Sequence, residues 1–338
     1  MAKRRSSRVD SARVQDAINL IRSIPTIRGA RVNNPTRTLT LRQYEQLLPL
    51  IRQAGDNEYY GSKLRFEYTR STRQFEIRMT NPLQAGIVGV FNDNFSLWRA
   101  ELLKSNISGI SDAAGTLRPH GNQHIDLPFP QGAADTKSPD GGVKHNCSLK
   151  CYKPAVVLDV GWTSSREFLE DRAKDYIRSA GKIRTVIAVY MGEMARAERM
   201  NERRLRRRYR AGQVDENGQY SYPHDEENVT GSASILVWRG KITNNKVTIE
   251  RVYEEKFRDA TGNTVQSALH LSLEDCVCDS IIESVKDFKA PLLEIPSEAF
   301  CDAVRMDLEE YREERARAIR QEVEEEKRKE ANEENDGK

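Results

Sequence analysis

The stretch 138–162, SPDGGVKHNCSLKCYKPAVVLDVGW, opens on a Pro-Asp pair and closes on a run of apolar β-formers interrupted by one carboxylate, Asp159. Side chains of a strand alternate between faces, so Asp159 shares a face with Gly161, while Leu158 and Val160 share the other. A carboxylate buried unpaired in an apolar strand is costly. Asp159 therefore reads either as part of a metal site or as a strand-end residue bonded to a backbone amide or an arginine. Asp140 lies one hairpin upstream, close enough to sit on an adjacent strand. Two carboxylates converging at the mouth of a sheet form a hard oxygen site suited to Mg2+ or Mn2+.

Downstream of this stretch the spacing predicts a helix over Ser165–Ala180. Ser164 and Glu167 stand at capping-box separation, Phe168, Leu169, Tyr176 and Ile177 form an apolar stripe, and Gly181 stops it. A buried strand follows at 183–191. Upstream, short helices are predicted at Ser11–Arg22 and Thr40–Gln53, the second ending at Gly55. A hairpin follows in KLRFEYTRSTRQFEIRM (63–79), then a helix from Pro82 to about Ser105 and a strand around His124–Leu127. Beyond the central region, ASILVWRG and KVTIERVYEEKF read as strands joined at Asn244-Asn245. LHLSLEDCV and LLEIPSEAF come next, and from Ser297 onward the chain is one long charged helix whose final dozen residues read as frayed or disordered. Strands alternating with helices give an α/β or α+β core with a mixed sheet.

The 338 residues suffice for one large domain or two ordinary ones, and a net charge of +3 argues neither for nor against nucleic acid. The charges are, however, segregated. Residues 193–230 interrupt the regular pattern, and their EMARAERMNERRLRRRYRAGQ carries Arg203, Arg204, Arg206, Arg207 and Arg208. Such a cluster reads as a phosphate contact, as a solvated surface helix or, with the N-terminal AKRR, as an import signal. The tail from Glu309 is rich in Glu, Arg and Lys with few apolar anchors, and reads as solvent-exposed or as pairing weakly with a protein partner. No run of apolar residues is long enough to span a bilayer, and no apolar segment follows the N-terminal charges, so an intracellular protein, nuclear or cytoplasmic, is expected.

The five cysteines read as reduced thiols. Cys147 and Cys151 beside His145 form only part of a zinc signature, since no second pair matches them, and they read as ordinary loop or core residues. Cys276 and Cys278 read the same way. His120, His124, His224 and His270 share no ligand spacing.

Taken in order, Pro139-Asp140, VVLDVGW, the helix LEDRAKDYI and SAGKIRTVIAVYM resemble the PD-(D/E)XK restriction-endonuclease-like superfamily, in particular uncharacterised fungal members. FEIRMTNPLQAGIV, LVWRG, KFRDATGN and LHLSLEDC extend the resemblance over roughly 60–300. It implies a restriction-endonuclease-like mixed sheet flanked by helices. On that basis the chain divides into a basic helical lead-in (1–55), a nuclease-like domain (56–300) with the arginine-rich insert 193–230, and a charged C-terminal helix with a disordered tail (301–338). The resemblance also implies Mg2+- or Mn2+-dependent phosphodiester hydrolysis, with Asp140 and Asp159 as metal ligands. Three positions depart from its pattern. Asp159 stands where Glu is usual, Gly161 where the lysine belongs, and Gln84 where such relatives often carry His. The missing charge would then come from the next helix, from Lys174 or Arg172, of which arginine cannot serve as a base. Three functions follow: a nuclease, a non-cleaving module that binds nucleic acid or protein through the arginines, and an interaction protein working through its C-terminal helix.

Overall fold

The computed structural model describes residues 2–23, 35–54, 64–79, 82–107, 109–121, 124–128, 134–147, 151, 153–180, 182–213, 230–243, 246–285 and 290–336. Gly55, Gly181, His224 and the Asn244-Asn245 turn lie outside them. Helix α1 (Ala2–Ser23) and strand β1 (Thr36–Thr38) precede helix α2 (Leu41–Ala54). Thr40 and Gln43 form a reciprocal cap for α2: the Gln43 amide donates to the Thr40 hydroxyl (3.3 Å), and the Thr40 amide to the Gln43 side chain (2.8 Å). The hairpin β2 (Leu64–Thr69) and β3 (Gln74–Met79) follows. Phe66, Tyr68, Phe75 and Ile77 on one of its faces share a core with Val14, Ile18 and Ile21 of α1 and with Tyr44 and Leu47 of α2.

Helix α3 (Pro82–Leu103) buries Leu83, Ile87, Phe91, Phe95, Trp98 and Leu102, a stripe at helical spacing. Next come α4 (Ile110–Thr116), β4 (Leu117–His120), β5 (Ile125–Pro128), β6 (Ala134–Lys137), β7 (Gly141–His145) and β8 (Val156–Gly161). Helix α5 (Arg166–Ala180) then leads to β9 (Thr185–Tyr190) and α6 (Gly192–Arg210). The cap of α5 falls one residue later than its sequence spacing suggests. The Phe168 amide donates to the Ser165 hydroxyl at 3.1 Å, so Ser165 rather than Ser164 starts the helix. The chain continues through β10 (Ala233–Thr243), β11 (Lys246–Arg258), β12 (Ala268–Leu271), α7 (Leu273–Cys276), α8 (Asp279–Ser284), β13 (Leu293–Pro296) and α9 (Ser297–Asp336).

The fold is mixed α/β. Among the described residues three sheets carry it, ordered β1-β3-β2-β6-β5, β11-β10-β9-β8-β7-β4 and β12-β13. In the six-stranded sheet only β8 and β9 run parallel, pairing Asp159 with Ala188; α5 makes the crossover between them. The other pairs are antiparallel, Gly141 facing Leu158 across β7 and β8. Leu158 and Val160 face a core shared with α3 and α9, whereas Val157 faces α5 and β5. Asp159 therefore points to the α5 side, as strand alternation requires. Gly142 has φ +148°, and a side chain there would run into the backbone of Val156 and Val157, so only glycine lets β7 lie this close to β8.

The C-terminal helix is α9, one continuous helix of 40 residues reaching Asp336. The arginine-rich stretch forms α6 directly after β9 and packs along α9, while residues 214–229 of the expected insert lie outside the described residues.

Candidate functional site

Asp140 and Asp159 come together where the two larger sheets meet, both almost fully buried. Asp140 precedes β7. Its amide donates to the Leu158 carbonyl (2.9 Å), and its carboxylate accepts the Val160 amide (2.6 Å), which pins it to β8. A third acid joins them, Glu67 of β2, itself 4% exposed.

Three arginines neutralise the three acids. Arg172, one face of α5 away from solvent, is paired with Asp159 and holds Glu67 by a two-pronged contact, Nη1 to Oε2 at 2.5 Å and Nη2 to Oε1 at 2.6 Å. Arg65 pairs with Asp140. Arg78 touches all three acids: Nη1 lies 3.0 Å from Glu67 and 3.5 Å from Asp159, and Nη2 lies 3.3 Å from Asp140. The Ser138 carbonyl accepts from Arg78 (2.9 Å) and Arg172 (3.2 Å). Burial pushes the Glu67 carboxyl up, but Arg172 and Arg78 outweigh it and hold the acid well below its ordinary range. Burial alone would lower Arg172 and Arg78, yet the surrounding carboxylates raise both.

This arrangement answers the question posed by Asp159. The acid is buried because it is paired, and the position between the carboxylates, expected to hold Mg2+ or Mn2+, is filled by guanidinium groups. The other expected site residues are dispersed. Lys174 does not face the acids; two residues beyond Arg172, it is turned by about 200° around the helix and contacts Glu170 (2.7 Å) and Asp171 (3.8 Å) at the surface. Gln84 reaches from α3 to the Val160 carbonyl (3.0 Å) and so supports the β8 backbone. At Gly161 an added Cβ would lie 2.7 Å from the Leu169 methyl, because α5 closes over the place where a lysine would stand. Sequence reasoning missed Arg65, Glu67 and Arg78. Their alternation with Leu64, Phe66 and Ile77 reads as the wet side of a hairpin, and only the packing of the second sheet buries them.

Of the expected phosphate-binding arginines of α6, Arg206 meets acidic partners on α9, within a wider set of ion pairs between the two helices. Glu198 pairs with Arg312 (2.6 Å), Glu202 with Arg315 (3.1 Å), Arg206 with Glu322 and with Glu326 (3.3 Å), and Arg210 with Glu326 (2.8 Å). The partner numbers rise together, so the helices run parallel, with Leu205, Tyr209, Ile319 and Val323 forming the apolar seam. Charge sign reverses along each helix, which disfavours a slipped register. Arg203 and Arg207 are exposed on the far side, and Arg204 and Arg208 are half-buried. We expect Arg206→Glu to lower stability by about 0.5–1 kcal/mol, the worth of exposed ion pairs. It should also speed hydrogen exchange in α9 beyond Ala316, and adding Glu322→Arg should reverse both effects.

A second cluster lies at the other end of β7. One ligand atom each of His145, Cys147, Cys151 and Cys278 lies within 4.8 Å of the others, and the four could hold a metal ion. The sequence reading paired Cys147 and Cys151 with His145 but did not bring in Cys278, which lies 131 positions from Cys147, too remote for spacing to reveal. Among the described residues no helix is long and apolar enough to cross a membrane. No protein-family model matches the chain, and no curated protein is significantly similar to it.

Proposed function

We propose that the chain is a non-cleaving relative of the PD-(D/E)XK nucleases that works as a binding module. The observation carrying this reading is the Arg78 guanidinium in contact with Glu67, Asp140 and Asp159 at once. Metal-dependent hydrolysis uses a cation that polarises the phosphate and lowers the pKa of a bound water. A guanidinium donates hydrogen bonds but provides no open coordination position and stays protonated. For Mg2+ or Mn2+ to enter with its near-octahedral oxygen shell, Arg78 would have to leave three acids and Arg172 two. The position two residues beyond Asp159 brings no lysine, and Lys174 is turned away. Retention of Asp159 on β8 and of Asp140 just before the neighbouring β7, with α5 crossing from β8 to β9, supports descent from a nuclease-like fold. On this reading nucleic acid contact rests on the exposed Arg203 and Arg207.

The test combines calorimetry with Mn2+ and incubation with single- and double-stranded DNA and RNA, each with and without Mg2+. The expected result is no cleavage, the same Mn2+ titration for wild type and Asp159→Asn, and salt-sensitive nucleic acid binding weakened by Arg203→Glu with Arg207→Glu. Metal-dependent cleavage that Asp140→Asn abolishes would overturn the proposal.

A further inference from the structure

The cluster at the far end of β7 has the composition and dimensions of a structural zinc centre. His145 ends the strand; Cys147 and Cys151 lie in the connection to β8; Cys278 sits at the N-terminus of α8. The Cys147 and Cys151 sulfurs are 3.4 Å apart, and those of Cys147 and Cys278 3.8 Å. Zinc–sulfur bonds of about 2.3 Å in a tetrahedron place two sulfurs about 3.8 Å apart. A disulfide would need about 2.05 Å, and all five cysteines are free of disulfides. The independent sign is His145. The residue is 3% exposed, and neither ring nitrogen has a hydrogen-bond partner. A buried imidazole without a partner is costly, and a metal bond at one nitrogen removes the part of that cost that falls on it. Cys276 takes no part, being sealed in the apolar core.

We propose that His145, Cys147, Cys151 and Cys278 bind one zinc ion with three sulfurs and one nitrogen. All four positions of the tetrahedron are then protein ligands, the pattern of a structural site with no open place for water. The ion ties the connection between β7 and β8 to the α7–α8 turn. This tie closes a long loop, whose ends are otherwise costly in entropy to hold together. Neighbouring contacts already seat the same turn: Asp275 accepts from Arg239 (2.7 Å) and Thr185 (2.7 Å), and Arg184 pairs with Asp279 (2.6 Å). Asp140 and His145 stand at opposite ends of β7, so the zinc centre is separate from the acid–guanidinium cluster and independent of how that cluster functions.

Metal analysis of the purified full chain tests this directly. The expected result is about one zinc per chain, with X-ray absorption showing three sulfurs near about 2.3 Å and one nitrogen near about 2.0–2.1 Å. Cys278→Ser should lose most of the zinc and lower Tm, while Cys301→Ser, which alters a thiol outside the cluster, should keep its zinc. Should Cys278→Ser fail to fold, the wild type still decides. Stripping its zinc with a thiol reagent and chelator should accelerate hydrogen exchange in 272–285 and leave 297–336 unchanged. Wild-type protein that carries no zinc and gains no Tm when Zn2+ is added would overturn the proposal. So would a metal-free form with Cys147 and Cys151 joined in a disulfide.

Discussion

Replacing Arg172 by methionine is expected to destabilise the fold by about 3–5 kcal/mol, the usual cost of removing one partner from a buried ion pair. The cost arises because Asp159 and Glu67 both lose their main counter-charge at positions that water does not reach. Methionine fills much of the arginine's volume, so the loss measures charge more than cavity. Adding Glu67→Gln removes one of the stranded charges and should recover part of the loss, which a purely steric effect would not permit. Urea denaturation at constant ionic strength checks both variants. Their pH dependence gives a second reading. The Glu67 carboxyl is held below its ordinary value of 4.5 in the folded protein. Its contribution is therefore complete above about pH 4.5 and is lost as the pH falls through and below that value. Without Arg172 the same carboxyl, still buried, should protonate more readily. The gap between wild type and Arg172→Met should then narrow in acid and be widest near neutrality.

The second large effect is expected at Gly142. Alanine there must adopt φ near +148° and push its methyl into the Val156 carbonyl. A strained backbone conformation costs about 1–3 kcal/mol and an overpacked contact a similar amount, so Gly142→Ala should lose about 2–5 kcal/mol. Gly141→Ala is the matched control. Its added Cβ would come no nearer than 3.4 Å to Val88, and the loss should stay under about 1.5 kcal/mol. If the two variants were equally stable, the close approach of β7 to β8 would not be what demands glycine.

Local signals in the sequence identified many of the elements, but not β1, α4, β4 or β6. The stripe of α3, the apolar runs of β8 and β9 and the start of α9 at Ser297 all follow from periodicity and capping. Asp159 also announced itself as an anomaly within β8. What surrounds it was not legible, because Arg65, Glu67 and Arg78 alternate with apolar residues just as a solvent-facing set would. Their burial depends on one sheet packing against another, a relation between segments 62 to 105 residues apart that no local pattern encodes. The same holds for α6 and α9. Each carries charges of both signs with sparse apolar positions, and only their pairing shows that the glutamates of one answer the arginines of the other. Cys278 was invisible as a candidate ligand for the same reason.

The parallel pairing of α6 with α9 has a consequence for how the polypeptide is made. Glu198 and Arg312 are 114 positions apart, so α6 leaves the ribosome long before the helix that covers it exists. During that interval Leu205 and Tyr209 have nothing to cover them, and chaperones that recognise uncovered apolar surface have an opportunity to bind. A product truncated before Ile319 would keep that seam open permanently, and so would carry its own mark of incompleteness.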